Sequence, residues 1–119
     1  MKPSILVLLL VLWSIMACSP SVSSQFEGTA SYYSESLDGK KTASGGTYKH
    51  WGLTAAHRKL EFGTRLRVTN IDNGRQVVVV VNDRGPYAKN RVIDLSGGAA
   101  RKLDMLKSGV ANVLVEVLE

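Results

Sequence analysis

Two carboxylates stand where apolar stretches give out. Asp83 closes the run VVVVVND, 77–83, and Asp94 sits in VIDL, 92–95. A side chain that follows five valines lies against low-dielectric surroundings, and a carboxyl group in that setting can serve as a proton donor near neutral pH. The same Asp83, just ahead of Gly85-Pro86, can instead bond backbone N–H groups of a turn, and Asp94 can tie the Ser96-Gly97-Gly98 turn behind it. Arg84 offsets the charge of Asp83 if it points the same way. His57, at the end of LTAAH, can donate to a substrate or to Asp83, or can make a purely structural contact. Both histidines of the chain fall in TASGGTYKHWGLTAAH, 42–57, a Gly-rich polar stretch that contains no Asp or Glu. Such stretches are loops, and loops often carry function. Within it, His50 beside Lys49 and Trp51 reads as an exposed loop residue. Tyr32, Tyr33, Tyr48 and Trp51 can stack on sugar faces or fill a core. No metal-ligand spacing, phosphate-binding loop or long internal repeat is present, so neither a metal nor a cofactor is expected.

The elements that must hold these residues are short. FEGTASYY, 26–33, opens as a strand. TRLRVTNI, 64–71, alternates polar and apolar residues with the period of a half-buried strand, and Asp72-Asn73-Gly74 supplies a hairpin turn. The return strand, Gln76 to Asn82, is nearly all valine and reads as buried on both faces. Gly85-Pro86 stops it. VIDL is a further short strand, Ser96 can cap a helix over 97–106 with Ala100, Leu103 and Leu106 on one face, and VANVLVEVL, 110–118, closes the domain. Many short strands and one helix make a mainly β fold, a compact barrel with the helix packed against it.

Composition narrows the partners. The chain of 119 residues carries 15 Lys and Arg, one of them Lys2 near the N-terminus, against 10 Asp and Glu. That modest excess suits an anionic polymer or a membrane surface and lacks the dense basic patch of a nucleic-acid binder. Residues 1–17 read as an export signal: Lys2, an apolar run from Ile5 to Ile15, then small residues. The run is shorter than the roughly 20 residues of a membrane span. Ile-Met-Ala-Cys resembles a bacterial lipobox, so Cys18, the only cysteine, is expected to be lipidated and to anchor the chain to a membrane. A Ser-rich tether, 18–25, then leads into a domain over 26–119. Ser19 lacks the acidic character that signals inner-membrane retention, which favours the periplasmic face of an outer membrane.

In order and spacing, GTASYY, DGKKTASGG, LTAAH, FGTRLRVTN, NGRQVVVVVNDRGPY and RVIDLS resemble the rare lipoprotein A (RlpA) family across nearly the whole domain. The resemblance implies a six-stranded double-psi β-barrel with one short helix and a groove across it. It also implies a lipoprotein that binds peptidoglycan glycan strands, several relatives being lytic transglycosylases that act on strands stripped of stem peptides. Carried over by position, Asp83 and His57 become catalytic candidates, and Tyr33, Thr42, Ser44, Asn82, Arg84 and Asp94 become substrate-binding candidates. The family's Glu in T-A-S-G-E is Gly46 here, and its aromatic-Asp pair is Tyr48-Lys49. That departure opens a second reading, a non-catalytic or expansin-like peptidoglycan-binding barrel. The sporulation-related repeat that follows the barrel in many relatives is not expected.

Overall fold

A computed structural model of the chain describes residues 20–119. Cys18 and the export signal lie outside the described residues. Six strands form a closed barrel: β1 (Val22–Tyr32), β2 (Thr54–Ala56), β3 (Arg65–Asn70), β4 (Gln76–Asp83), β5 (Arg91–Leu95) and β6 (Val110–Leu118), with one helix, α1 (Gly97–Lys102). Around the barrel the order is β1-β5-β2-β4-β3-β6. β1 and β5 run parallel, as do β2 and β4, and the remaining pairs are antiparallel. A closed sheet with two such parallel crossings is the double-psi β-barrel that the resemblance implied. Closure removes exposed sheet edges, which matters in a domain too small to rely on core volume alone.

Alternation makes the core. Leu66 and Val68 of β3, and Val113 and Val115 of β6, point inward, while their immediate neighbours face out or lie half-buried. The hairpin between β3 and β4 forms as its sequence requires, with Gly74 at φ 76° in the left-handed region where a side chain is disfavoured. On the outside, Arg67 meets Glu116 across the β3–β6 pair through two hydrogen bonds of 2.9 and 3.0 Å.

Three local expectations differ from the structure. The valine run is not buried on both faces: Val77, Val79 and Val81 enter the core, whereas Val78 and Val80 stay 38% and 37% exposed. β-branched residues favour strand backbone whichever face they take, so an unbroken run conceals its period. β1 starts at Val22, ahead of Phe26, because the C-terminal half of β6 offers backbone partners from Glu116 to Leu118 and backbone pairing needs no apolar side chain. The helix stops at Lys102, short of Leu106. Asp104 turns left-handed at φ 55°, and the Leu103 carbonyl accepts from the amides of Asn70 and Asn73. Those bonds satisfy a carbonyl that another helical turn would have used.

α1 is held at its start by Ser96, whose hydroxyl accepts from Ala99 N at 3.3 Å and donates to the Gly52 carbonyl at 2.6 Å. One serine thus caps the helix and ties down the loop that precedes β2. Among the described residues no helix is long and apolar enough to cross a membrane.

Candidate active site

β2 lies between β4 and β5, and Ala56 pairs in register with both Asp83 and Asp94. Two residues level with the same neighbour on opposite sides share one face of the sheet, at a backbone separation of about 10 Å. Sheet register alone therefore brings both carboxylates to one rim. They line an open cavity of about 370 Å³ with Ser31, Tyr33, Tyr87 and Arg91.

Asp83 is fixed by three donors. Its Oδ1 accepts from Ala43 N at 2.8 Å and from Arg84 N at 3.0 Å, and its Oδ2 accepts from the Tyr33 hydroxyl at 2.5 Å. The Ala43 bond belongs to a loop laid over the end of β4. Ser44 N donates to the Asn82 carbonyl, Thr42 N donates to the Gly46 carbonyl, and the Thr42 and Ser44 hydroxyls meet at 2.8 Å. Thr42, Ser44 and Asn82 thus gather beside Asp83 through the loop backbone, Thr42 being buried, and none of the three lines the cavity.

Tyr33 is positioned from behind. Its ring stacks on Tyr48 with centroids 4.6 Å apart and planes 19° apart. Tyr48 is buried; its hydroxyl lies 2.9 Å from His50 Nδ1 and accepts from Gly97 N at 3.3 Å. Burial, reinforced by the Asp83 carboxylate, pushes the Tyr33 phenol far above its ordinary range, so it remains a protonated donor. Burial also raises Tyr48, partly countered by the Gly97 N–H.

His50, expected to be an exposed loop residue, is 4% exposed. The cause lies far along the chain. A Cβ on Gly97 would overlap Nε2 of His50, and one on Gly98 would come within 2.5 Å of the Trp51 and Gly52 carbonyls. Two glycines at the start of α1 let segment 50–52 close onto the helix. Trp51 itself stays exposed beneath the Arg101 guanidinium, 4.6 Å from its ring centre.

His57 takes a different place. Its Nδ1 accepts from Lys59 N and Leu60 N, both at 3.1 Å, and its ring packs on Phe26 with centroids 5.2 Å apart. Its backbone N bonds the Asp83 carbonyl, but its ring makes no hydrogen bond to the Asp83 carboxylate and does not line the cavity. With Nδ1 accepting, the neutral ring carries its proton on Nε2. Burial, followed by Arg58, Arg84 and Lys59, lowers its pKa.

Arg84 lines the cavity but turns its guanidinium toward the same loop. Nη1 donates to the Leu60 and His57 carbonyls at 2.7 and 3.2 Å, and the group lies 4.0 Å over the Phe62 ring. Only its backbone N serves Asp83. Asp94 does not tie the Ser96–Gly98 turn. Its Oδ1 accepts from the Ser31 hydroxyl at 2.5 Å and faces Arg91 Nε at 3.7 Å, because β5 alternation aims it into the cavity while Ser96 caps α1. Sequence reasoning passed over five lining residues: Ser31, Ser34, Leu37, Tyr87 and Arg91. Ser31 shares the Tyr33 face by strand period, and Tyr87, 87% exposed, and Arg91 bracket the bend between β4 and β5. Among the described residues no group of three or more His, Cys, Asp or Glu side chains is arranged to hold a metal ion.

The lytic transglycolase family model matches residues 25–115, the whole barrel apart from its outermost strand ends. The chain belongs to that family. It is 55% identical over 100 residues to a probable endolytic peptidoglycan transglycosylase RlpA of Nostoc sp., covering 82% of this chain and 27% of that protein. It is 52% identical over 98 residues to the endolytic peptidoglycan transglycosylase RlpA of Campylobacter jejuni, covering 82% and 36%. The corresponding protein of Treponema pallidum is 57% identical over 89 residues, covering 75% and 28%. The chain therefore spans about a quarter to a third of the length of these relatives. Among solved structures it resembles the Streptomyces papain inhibitor, at TM-score 0.67 and 23% identity, covering 85% of this chain and all of that one. It also resembles an expansin of Clavibacter michiganensis, at TM-score 0.62 and 24% identity, covering 81% and 51%. At those identities the two structures speak for the shared barrel alone.

Proposed function

We propose that this chain cleaves the MurNAc–GlcNAc bond of peptidoglycan glycan strands as a lytic transglycosylase, with Asp83 as acid and then base. The observation that carries this reading is the setting of Asp83: at a strand end, on the wall of an open cavity, with both oxygens fixed. Family membership and the names of the relatives support the substrate class.

The chemistry follows from the donors. Backbone N–H groups on Oδ1 can only donate, but the Tyr33 hydroxyl at Oδ2 can donate to a carboxylate or accept from a carboxylic acid. The Oδ2–Tyr33 contact thus persists in both protonation states, which suits a group that gives up a proton and takes one back. Asp83 protonates the glycosidic oxygen as its bond to the muramyl anomeric carbon breaks. The 6-hydroxyl oxygen of the same sugar then bonds that carbon, and its proton passes to the Asp83 carboxylate. Glycosidases that manage an external water or a covalent intermediate use two carboxylates; an internal attacker lets one suffice. Thr42, Ser44 and Asn82 hold the loop whose Ala43 N–H fixes Asp83 against the sugar, and neutral His57 holds the 57–60 turn on which Arg84 rests. When full chain is incubated with amidase-stripped glycan, anhydro-muramyl fragments should appear by mass spectrometry. Pull-down onto glycan without such products refutes the enzyme.

A second reading, a glycan-binding barrel without catalysis, is favoured by Gly46. A Cβ there would meet only the Ser44 and Thr42 hydroxyls, at 3.7 and 3.8 Å, so space beside the loop stands where the family places a Glu. The same product assay separates the two readings. We further propose that Cys18 is lipidated and holds the barrel at a membrane, on the periplasmic side of an outer membrane. Cys18→Ser should then move the protein to the soluble fraction, and unchanged fractionation would count against the anchor.

A further inference from the structure

Tyr87 is the most exposed large apolar side chain among the described residues, at 87% against 37–49% for the others. Its backbone, by contrast, is pinned on both sides. Pro86 before it is fully buried, and the carbonyl of Ala88 after it accepts from Arg58 Nη2 at 2.7 Å and from Arg91 N at 3.3 Å. Arg58 stands in the 57–60 turn, whose Lys59 and Leu60 amides are gathered by His57 Nδ1. Arg84 crosses the other way, from the bend to the His57 and Leu60 carbonyls of that turn. Two guanidiniums thus cross-brace the turn and the bend. The Tyr87 ring is seated as well: a Cβ placed on Gly85 would lie 3.7 and 3.9 Å from its Cε2 and Cδ2, ordinary contact distances. The result is an aromatic side chain held on a fixed backbone, open to solvent, on the wall that also carries Asp83.

We infer that Tyr87 stacks on the sugar next to the bond that Asp83 cleaves, and that Arg58 is the positioning residue that keeps it there. This deepens the glycan reading above and rests on it. A β-1,4-linked pyranose holds its substituents equatorial and its ring C–H bonds axial, so it offers a flat C–H face. Tyrosine matches that face with a large, rigid, amphipathic surface and loses little conformational entropy in doing so. The inference also gives His57 a part in the reaction although it does not line the cavity, because its Nδ1 shapes the turn from which Arg58 reaches the bend.

The test measures binding of the full chain to a soluble tetrasaccharide of alternating GlcNAc and MurNAc. Tyr87→Phe keeps the ring and should bind like wild type. Tyr87→Leu, apolar without a flat face, should bind about twofold to tenfold more weakly, the range for an aromatic contact beyond its buried area. Sugar C–H protons should shift upfield in the NMR spectrum when bound to wild type or Tyr87→Phe, and should lose that ring-current shift with Tyr87→Leu. Arg58→Gln should weaken binding by no more than Tyr87→Leu does, and should have no further effect in the Tyr87→Leu background. Ile71→Ala, which trims an exposed apolar side chain in the hairpin at the other end of β4 from Asp83, should bind like wild type. Full affinity in Tyr87→Leu, weak binding by Tyr87→Phe, an equal loss in Ile71→Ala, or no ring-current shift with wild type overturns the stacking role. An Arg58→Gln effect that persists undiminished beside Tyr87→Leu overturns the positioning role. Absence of wild-type binding overturns the glycan reading itself.

Discussion

Replacing Gly97 by Ala tests how the site is supported from behind. The added Cβ would overlap the His50 ring at Nε2, and that ring cannot simply swing aside. Its Nδ1 is bonded to the Tyr48 hydroxyl at 2.9 Å, and its ring packs steeply against that of Trp51, with centroids 4.5 Å and planes 75° apart. Overpacking of this kind costs about 1–3 kcal/mol. Displacing His50 also breaks a buried hydrogen bond, about 1 kcal/mol more. A total of about 3 kcal/mol lowers the Tm of a domain this size by roughly 12–24 °C. The assay is thermal unfolding of Gly97→Ala, His50→Ala and the double variant. The clash exists only while the imidazole is present, so the Gly97→Ala penalty should shrink by at least about 1 kcal/mol in the His50→Ala background, a non-additivity expected of residues in contact. Because Tyr48 carries Tyr33 through the stack, Gly97→Ala should also weaken glycan cleavage. An unchanged Tm, or an equal penalty in both backgrounds, would refute the reasoning.

Other consequences are open to measurement. Tyr33→Phe keeps the stack on Tyr48 and removes the donor to Asp83 Oδ2; at about 1.5–3 kcal/mol for such a bond, cleavage should fall about tenfold to hundredfold with little change in Tm, and undiminished cleavage would exclude the role given to Tyr33. The pKa of His57 is lowered from its ordinary 6.5 on folding, so the unfolded chain takes up its proton first. The stability this group contributes is fully present above about pH 6.5 and is lost as pH falls through the folded pKa. His57→Gln should flatten that acidic slope in denaturant midpoints measured between pH 5 and 8, and an unchanged slope would rule out His57 as its source. Gly46→Glu meets only ordinary contacts, and Gly46 is not in the left-handed region, so it should fold normally; cleavage that fails to rise would show that the vacant place is not what limits this groove.

Much of the barrel could be read from short patterns, and the misreadings have physical causes. β3 and the hairpin announced themselves because period and turn chemistry are local properties. The valine run did not reveal its faces, since strand propensity and burial are separate preferences that five identical residues cannot separate. Asp83 and Asp94 stood out because each ends an apolar stretch, but that they share a cavity follows from both pairing with Ala56, a fact of closure. His50 could not be placed from Lys49 and Trp51, because what buries it is a pair of glycines at 97 and 98. Tyr33 reaches Asp83 from 50 positions away. Arg84 and Arg91 look alike in sequence; only the structure shows that Arg84 bonds two loop carbonyls while Arg91 Nε has no partner among the described residues.

The central claim is that the Asp83 carboxyl group does chemistry on glycan. The most direct measurement is the product spectrum of the full chain acting on amidase-stripped strands, beside that of Asp83→Asn at matched folding and glycan retention. The account predicts anhydro-muramyl fragments from the wild type and none from the variant, with both proteins retained on the glycan. Equal products from the two, or retention by wild type with nothing released, would contradict it.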